Sequence, residues 1–131
     1  MIDVEARVFD AVYPAVTAVI PAKNFKSQYV PNPAALPFAT LYEVSNTTDT
    51  RHRGTALDEE YAILTYEANI YALSKAECRS VMDALDTAIT RLGFTRTMMQ
   101  FIPNLADTRL YRMTARYQAA ADGRNVIYRR W

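Results

Sequence analysis

A single cysteine, a single histidine and three glycines are all that 131 residues supply of the residue types most chemistry depends on. With Cys78 alone, an intrachain disulfide and a Cys-rich zinc site are both excluded. With His52 alone, so is a multi-histidine metal centre. Gly54, Gly93 and Gly123 lie too far apart for either common glycine-rich phosphate loop. No apolar run approaches the roughly 20 residues of a membrane span, so no membrane partner is expected. Met1-Ile2-Asp3-Val4-Glu5 lacks the basic start and apolar stretch of a signal peptide. What remains is ordinary: 50% hydrophobic and 22% charged residues, enough for one domain over 1–131 with its own core.

The net charge of +1 conceals an asymmetry. Residues 1–90 hold 7 Lys/Arg against 12 Asp/Glu, whereas residues 91–131 hold 8 Arg against Asp107 and Asp122. Such a split fits a basic surface for a polyanion, or opposite faces that meet in neighbouring copies. Twelve of the fifteen cations are arginine. Arginine forms bidentate, partly desolvated pairs better than lysine, which favours self-assembly.

Spacing along the chain predicts the order α-β-β-α-β-β-β. Val4, Val8, Val12, Val16 and Val19/Ile20 recur at helical spacing from a cap at Asp3, with a kink or two short helices expected at Pro14. Residues 22–36 read as an extended loop around Pro31 and Pro33, in which Phe25, Tyr29 and Val30 pack on their own domain or on a partner. A strand follows at Pro37–Val44. Residues 45–60, with Leu57 their one large aliphatic, read as a long mobile loop. Tyr61–Leu73 reads as a strand: its even positions are all apolar, and its odd ones, which include Thr65, Glu67 and Asn69, are mixed. Ser74-Lys75-Ala76-Glu77 has the form of a capping box, followed by Cys78, Val81, Met82, Leu85, Ala88, Ile89 and Leu92 at helical spacing and a stop at Gly93. Phe94–Ile102 and Thr108–Ala121 are further strands. Asp122-Gly123 reads as a two-residue hairpin turn into a last strand, Asn125–Trp131. The whole is an α+β two-layer sandwich: a mostly antiparallel sheet with both helices on one face.

Few residues offer chemistry. Cys78 near a helix start is a conceivable nucleophile, but it shares the apolar stripe of its helix and reads as core. Asp58, Glu59 and Glu60, and Asp83 with Asp86, lack partners at metal or acid/base spacing and read as solvated positions. No catalytic, cofactor or metal residue is assigned, and no enzyme is expected. Arg51-His52-Arg53 is either a loop tip or a docking element for phosphate or carboxylate. The hairpin count sets Ala119 opposite Val126, Tyr117 opposite Tyr128 and Arg116 opposite Arg129, with Arg112 on the same face. Like charges directly opposite repel, so a compensating anion is expected: acidic residues of an adjacent subunit or a nucleic-acid backbone. Alternatively, the long side chains splay apart in water.

The segment order carries a resemblance. A short helix leads to Leu36-Pro37-Phe38-Ala39-Thr40-Leu41-Tyr42-Glu43, then a polar loop. A strand follows that ends Tyr-Glu-Ala-Asn-Ile-Tyr-Ala (66–72), then a helix that ends Ala-Leu-Asp-Thr-Ala-Ile-Thr-Arg-Leu-Gly-Phe (84–94). A late strand pair is entered through Asp107-Thr108-Arg109. In this the chain resembles the tail terminator, or head-to-tail joining, proteins of long-tailed bacteriophages. The resemblance implies a structural virion protein assembled in the host cytoplasm. It would form a ring, usually of six copies, that caps the tail tube and joins the head connector, with DNA only as passing cargo. It also implies that the 45–60 loop docks, with Arg51, His52, Arg53, Asp58 and Glu59, and with Phe25 and Tyr29 nearby. Arg112, Arg116 and Arg129 are placed between subunits. A head-completion or neck protein, and a small nucleic-acid-binding module using the arginine face, are the alternatives.

Overall fold

The computed structural model of the protein describes residues 1–31, 33–48, 61–103 and 109–128. In chain order these form helix α1 (Glu5–Thr17), a short 3-10 turn (Ala22–Asn24), β1 (Phe25–Lys26), β2 (Phe38–Thr48), β3 (Tyr61–Ala72), helix α2 (Lys75–Arg91), β4 (Thr95–Ile102), β5 (Tyr111–Asp122) and β6 (Ile127–Tyr128).

Local chemistry sets the limits of α2. The Ser74 hydroxyl accepts the Glu77 backbone N–H at 3.1 Å, satisfying one of the helix's orphan donors. At the other end Gly93 takes φ 109, a left-handed conformation that a Cβ disfavours, and its N–H closes onto the Thr90 carbonyl. Between these caps Cys78, Val81, Met82, Leu85 and Ile89 are buried. In α1 the structure departs from expectation. The cap position is Val4 rather than Asp3, whose carboxylate instead accepts the Glu5 N–H at 3.2 Å. Pro14 sits inside a single helix instead of splitting it. Asp10, whose carbonyl loses its partner to Pro14, lies on the exposed side where water can replace it. Val8, Val12 and Val16, fully buried, hold the helix down on the sheet.

The sheet has the order β1-β2-β3-β5-β4, antiparallel except for the parallel β1–β2 pair, with β6 added to β5. Even positions of β3 and odd positions of β5 join Ala39 and Leu41 of β2 under both helices in one core. Both helices therefore cover one face, as the alternation predicts. The opposite face carries no helix. Its residues are Thr40 and Tyr42 of β2, Glu67, Asn69 and Tyr71 of β3, and Arg112, Thr114 and Arg116 of β5, which stand beside one another in register.

Three expectations are corrected. The 22–36 segment is not loop throughout, because Phe25 inserts beneath α1 and pulls its neighbour into parallel pairing with Ala39 and Thr40. Residues 45–48, assigned to the mobile loop, extend β2: past a bulge at Val44 they pair with β3 from Thr65 to Ala62, so ladder hydrogen bonds offset the lack of apolar side chains. The rest of that loop, 49–60, lies outside the described residues. Finally, the hairpin register differs. The Asp122 carboxylate accepts the backbone N–H groups of both Arg124 and Val126, and Asn125, not Gly123, takes the positive φ of 63. Tyr128 consequently faces Ala120 instead of Tyr117.

Candidate interaction surface

The helix-free face centres on Asn69, which is fully buried. Its amide oxygen accepts the Thr114 hydroxyl at 2.8 Å and the Arg112 guanidinium at 2.8 and 3.2 Å. Its amide nitrogen donates to Glu67 Oε2 at 3.2 Å. Glu67 also accepts the Tyr42 hydroxyl and, at 3.2 Å, Arg116 Nε. Burial by itself would raise the Glu67 carboxyl, but hydrogen bonds from Tyr42, Asn69 and Arg116 outweigh it and hold the group below its ordinary value. Burial, then the bond to Glu67, pushes the Tyr42 hydroxyl far up. Arg112 lies over the Tyr71 ring at 5.6 Å.

This geometry corrects the reading of the arginine stripe. Across β5, Arg116 faces Glu67 on one side and Met98 of β4 on the other. With β4 on that edge, no final strand can set a second arginine opposite Arg116. The conflict that called for an outside anion does not arise, because Glu67 supplies the counter-charge within the chain. Arg112 and Arg116 are thus brought together by the sheet, whereas Arg129 lies outside the described residues. So do Arg51, His52, Arg53, Asp58 and Glu59. Phe25 is 3% exposed and stacked on Phe9 at 4.5 Å, so it packs in its own domain and cannot be a docking residue. Tyr29 is 51% exposed and meets Tyr42 edge-on, at the border of the polar network.

The other candidates are accounted for structurally. Cys78 is fully buried, and burial, then the Glu77 charge, pushes its thiol up to about 11, the reverse of an activated nucleophile. Asp86 accepts the Tyr117 hydroxyl at 2.8 Å and Arg96 at 3.1 Å, so it ties α2 to the sheet. Beside it opens a cleft of about 320 Å³ floored by Met82, Met99 and Met113, with Arg79 and Asp83 on its rim. Among the described residues, no three His, Cys, Asp or Glu side chains are placed to share a metal ion, and no helix is long and apolar enough to cross a membrane.

One corner carries a cost. The Glu43 backbone N–H donates to Glu5 Oε2 at 2.7 Å, while Glu43 Oε1 and the Tyr66 hydroxyl are buried near one another with no well-aligned hydrogen bond. Burial, with the charges of Glu5 and Asp3, raises the Glu43 carboxyl. A raised carboxyl binds its proton more tightly in the folded chain, so its contribution to stability declines as pH rises through the folded value. Glu43→Gln is expected to raise the melting temperature at pH 7, with the gain vanishing below about pH 4. A melting temperature unchanged or lowered at pH 7 would refute this.

The helix-free face is thus a set of polar side chains paired with one another. The chain belongs to the tail completion protein gp17 family, whose profile matches residues 7–122. It is a structural component of the phage tail or neck, and it resides in the virion beside other virion proteins. Its fold is shared with a chain in the virion of a native gene transfer agent particle, at 15% identity and a TM-score of 0.61, covering 87% of this chain and 93% of that one. Among curated proteins, none matches.

Proposed function

We propose that the protein is the tail terminator: a ring, of six copies, that caps the finished tail tube and offers its other face to the head connector. It has no enzymatic role. The observation that carries this reading is the family match across nearly the whole chain, 7–122. The helix-free face supports it. Arg116 keeps 47% of its side chain exposed beside its bridge to Glu67, which suits a contact between subunits. The same bridge, with Arg112 engaged by Asn69, gives both described arginines of this face partners within the chain, which weighs against the nucleic-acid reading.

Purified protein should bind isolated tail tubes and not portal-bearing heads, and native mass spectrometry should show closed rings, free or on the tube. Binding only to heads would instead make it a head-completion protein. Arg116→Ala is expected to lower stability by less than about 1 kcal/mol, since Arg116 is half exposed and Glu67 keeps the Tyr42 and Asn69 donors, yet to reduce ring formation. Rings that form as well as wild type would remove Arg116 from the interface.

A further inference from the structure

The two edges of the sheet are treated differently. At the β1–β2 end, β1 covers Ala39 and Thr40, the Glu5 carboxylate takes the Glu43 N–H, and Asn46 donates to the Ile2 carbonyl. At the other end, among the described residues, no strand pairs with the outer side of β4. Between the bulge at Thr97 and Pro103, β4 reads Met98-Met99-Gln100-Phe101-Ile102. This run itself has neither charge nor proline, two devices by which exposed edges avoid strand addition; the bulge at Thr97 and Pro103 only bound it. Such an edge is a template for another strand.

We propose that a second copy of this chain occupies it, the two β4 strands pairing antiparallel about a two-fold axis at Gln100. In that register Met99 faces Phe101 of the other copy, Met98 faces Ile102, and Gln100 faces Gln100, so no like charges are opposed. Charge on the neighbouring helix selects the same arrangement. Lys75 and Arg79 lie over the Phe101 ring at 5.5 and 5.3 Å, while Asp83 and Asp86, the latter bridged to Arg96, follow further along α2 and line the cleft. The two-fold sets the two α2 helices antiparallel, which brings Lys75 and Arg79 of each copy towards Asp83 of the other. Because a two-fold pair is antiparallel, it has no place in a ring whose faces meet different partners. The pair is therefore a form of the free protein, distinct from the ring, and it shields the edge until the chain is taken up at the tail.

Gln100 is exposed, so its substitution leaves the core intact. Sedimentation equilibrium from micromolar to millimolar protein should show wild type passing from monomer to dimer. Gln100→Glu and Gln100→Lys should each weaken that step by roughly fivefold or more, with unchanged melting temperatures, because each sets like charges opposite one another. Mixed one to one, they should pair at least as tightly as wild type. A wild-type chain that stays monomeric, or a Gln100→Glu chain that pairs as well as wild type, overturns the proposal. Weakening in both variants that mixing fails to restore assigns the edge to some other strand and overturns it equally. Tail-tube binding is a separate assay, so the ring can fail while the pair stands, and the reverse.

Discussion

Glu67→Ala is expected to cost about 3 kcal/mol, the sum of a lost charged acceptor and of the carboxylate partner lost to the fully buried Asn69 amide and the half-buried Tyr42 hydroxyl. The carboxylate receives Tyr42, Asn69 and Arg116 together, and its side chain is 12% exposed. Arg116 can turn to water, but the fully buried Asn69 cannot. The isosteric Glu67→Gln removes the charge while keeping one acceptor, and it separates packing from ionisation. The folded carboxyl sits below its ordinary value of 4.5. Its stabilisation is therefore complete above that value and is lost as pH falls through the folded one. Urea unfolding between neutral and acid pH should show wild type losing its advantage over Glu67→Gln as the pH drops. A constant difference across that range would mean that the charge contributes nothing.

Leu85→Ala should be as damaging by a different route. Leu85 is fully buried on α2, in the core that the helix shares with β3 and β5. Truncation removes the transfer free energy of the lost carbons and leaves a void, together about 2–5 kcal/mol. Leu85→Met, similar in volume, should cost less than about 1.5 kcal/mol. Equal losses in the two variants would point to backbone disruption rather than to packing. Denaturant midpoints with unchanged slopes would confirm that stability alone has moved.

The elements that local chemistry specifies were legible from sequence. The capping serine, the stripe from Cys78 to Ile89 and the Gly93 stop define α2 within a few residues of one another, and apolar even positions define β3 over its own length. Both helices on one face follow from those patterns. What was not legible depends on pairings distant in sequence. That Arg116 would face Glu67 requires the register of β3 on β5, across 49 residues; the one signal available was a set of polar odd positions in β3 with nothing to name its partner. The hairpin count failed because an aspartate carboxylate, rather than the glycine, organises the turn. Pro14 is tolerated because three valines on the opposite side of α1 outweigh one lost hydrogen bond. Phe25, read as a loop aromatic with a partner to find, found it in Phe9.

The buried thiol has a further consequence. With its thiol pushed up to about 11 by burial, Cys78 is almost wholly protonated at neutral pH, and its site under α2 must open before a reagent can reach it. Since it is the chain's only sulfhydryl, its rate of alkylation reports how often that site opens. The native protein thus contains a silent label for its own breathing, and a cysteine introduced on the surface would react against an almost blank background.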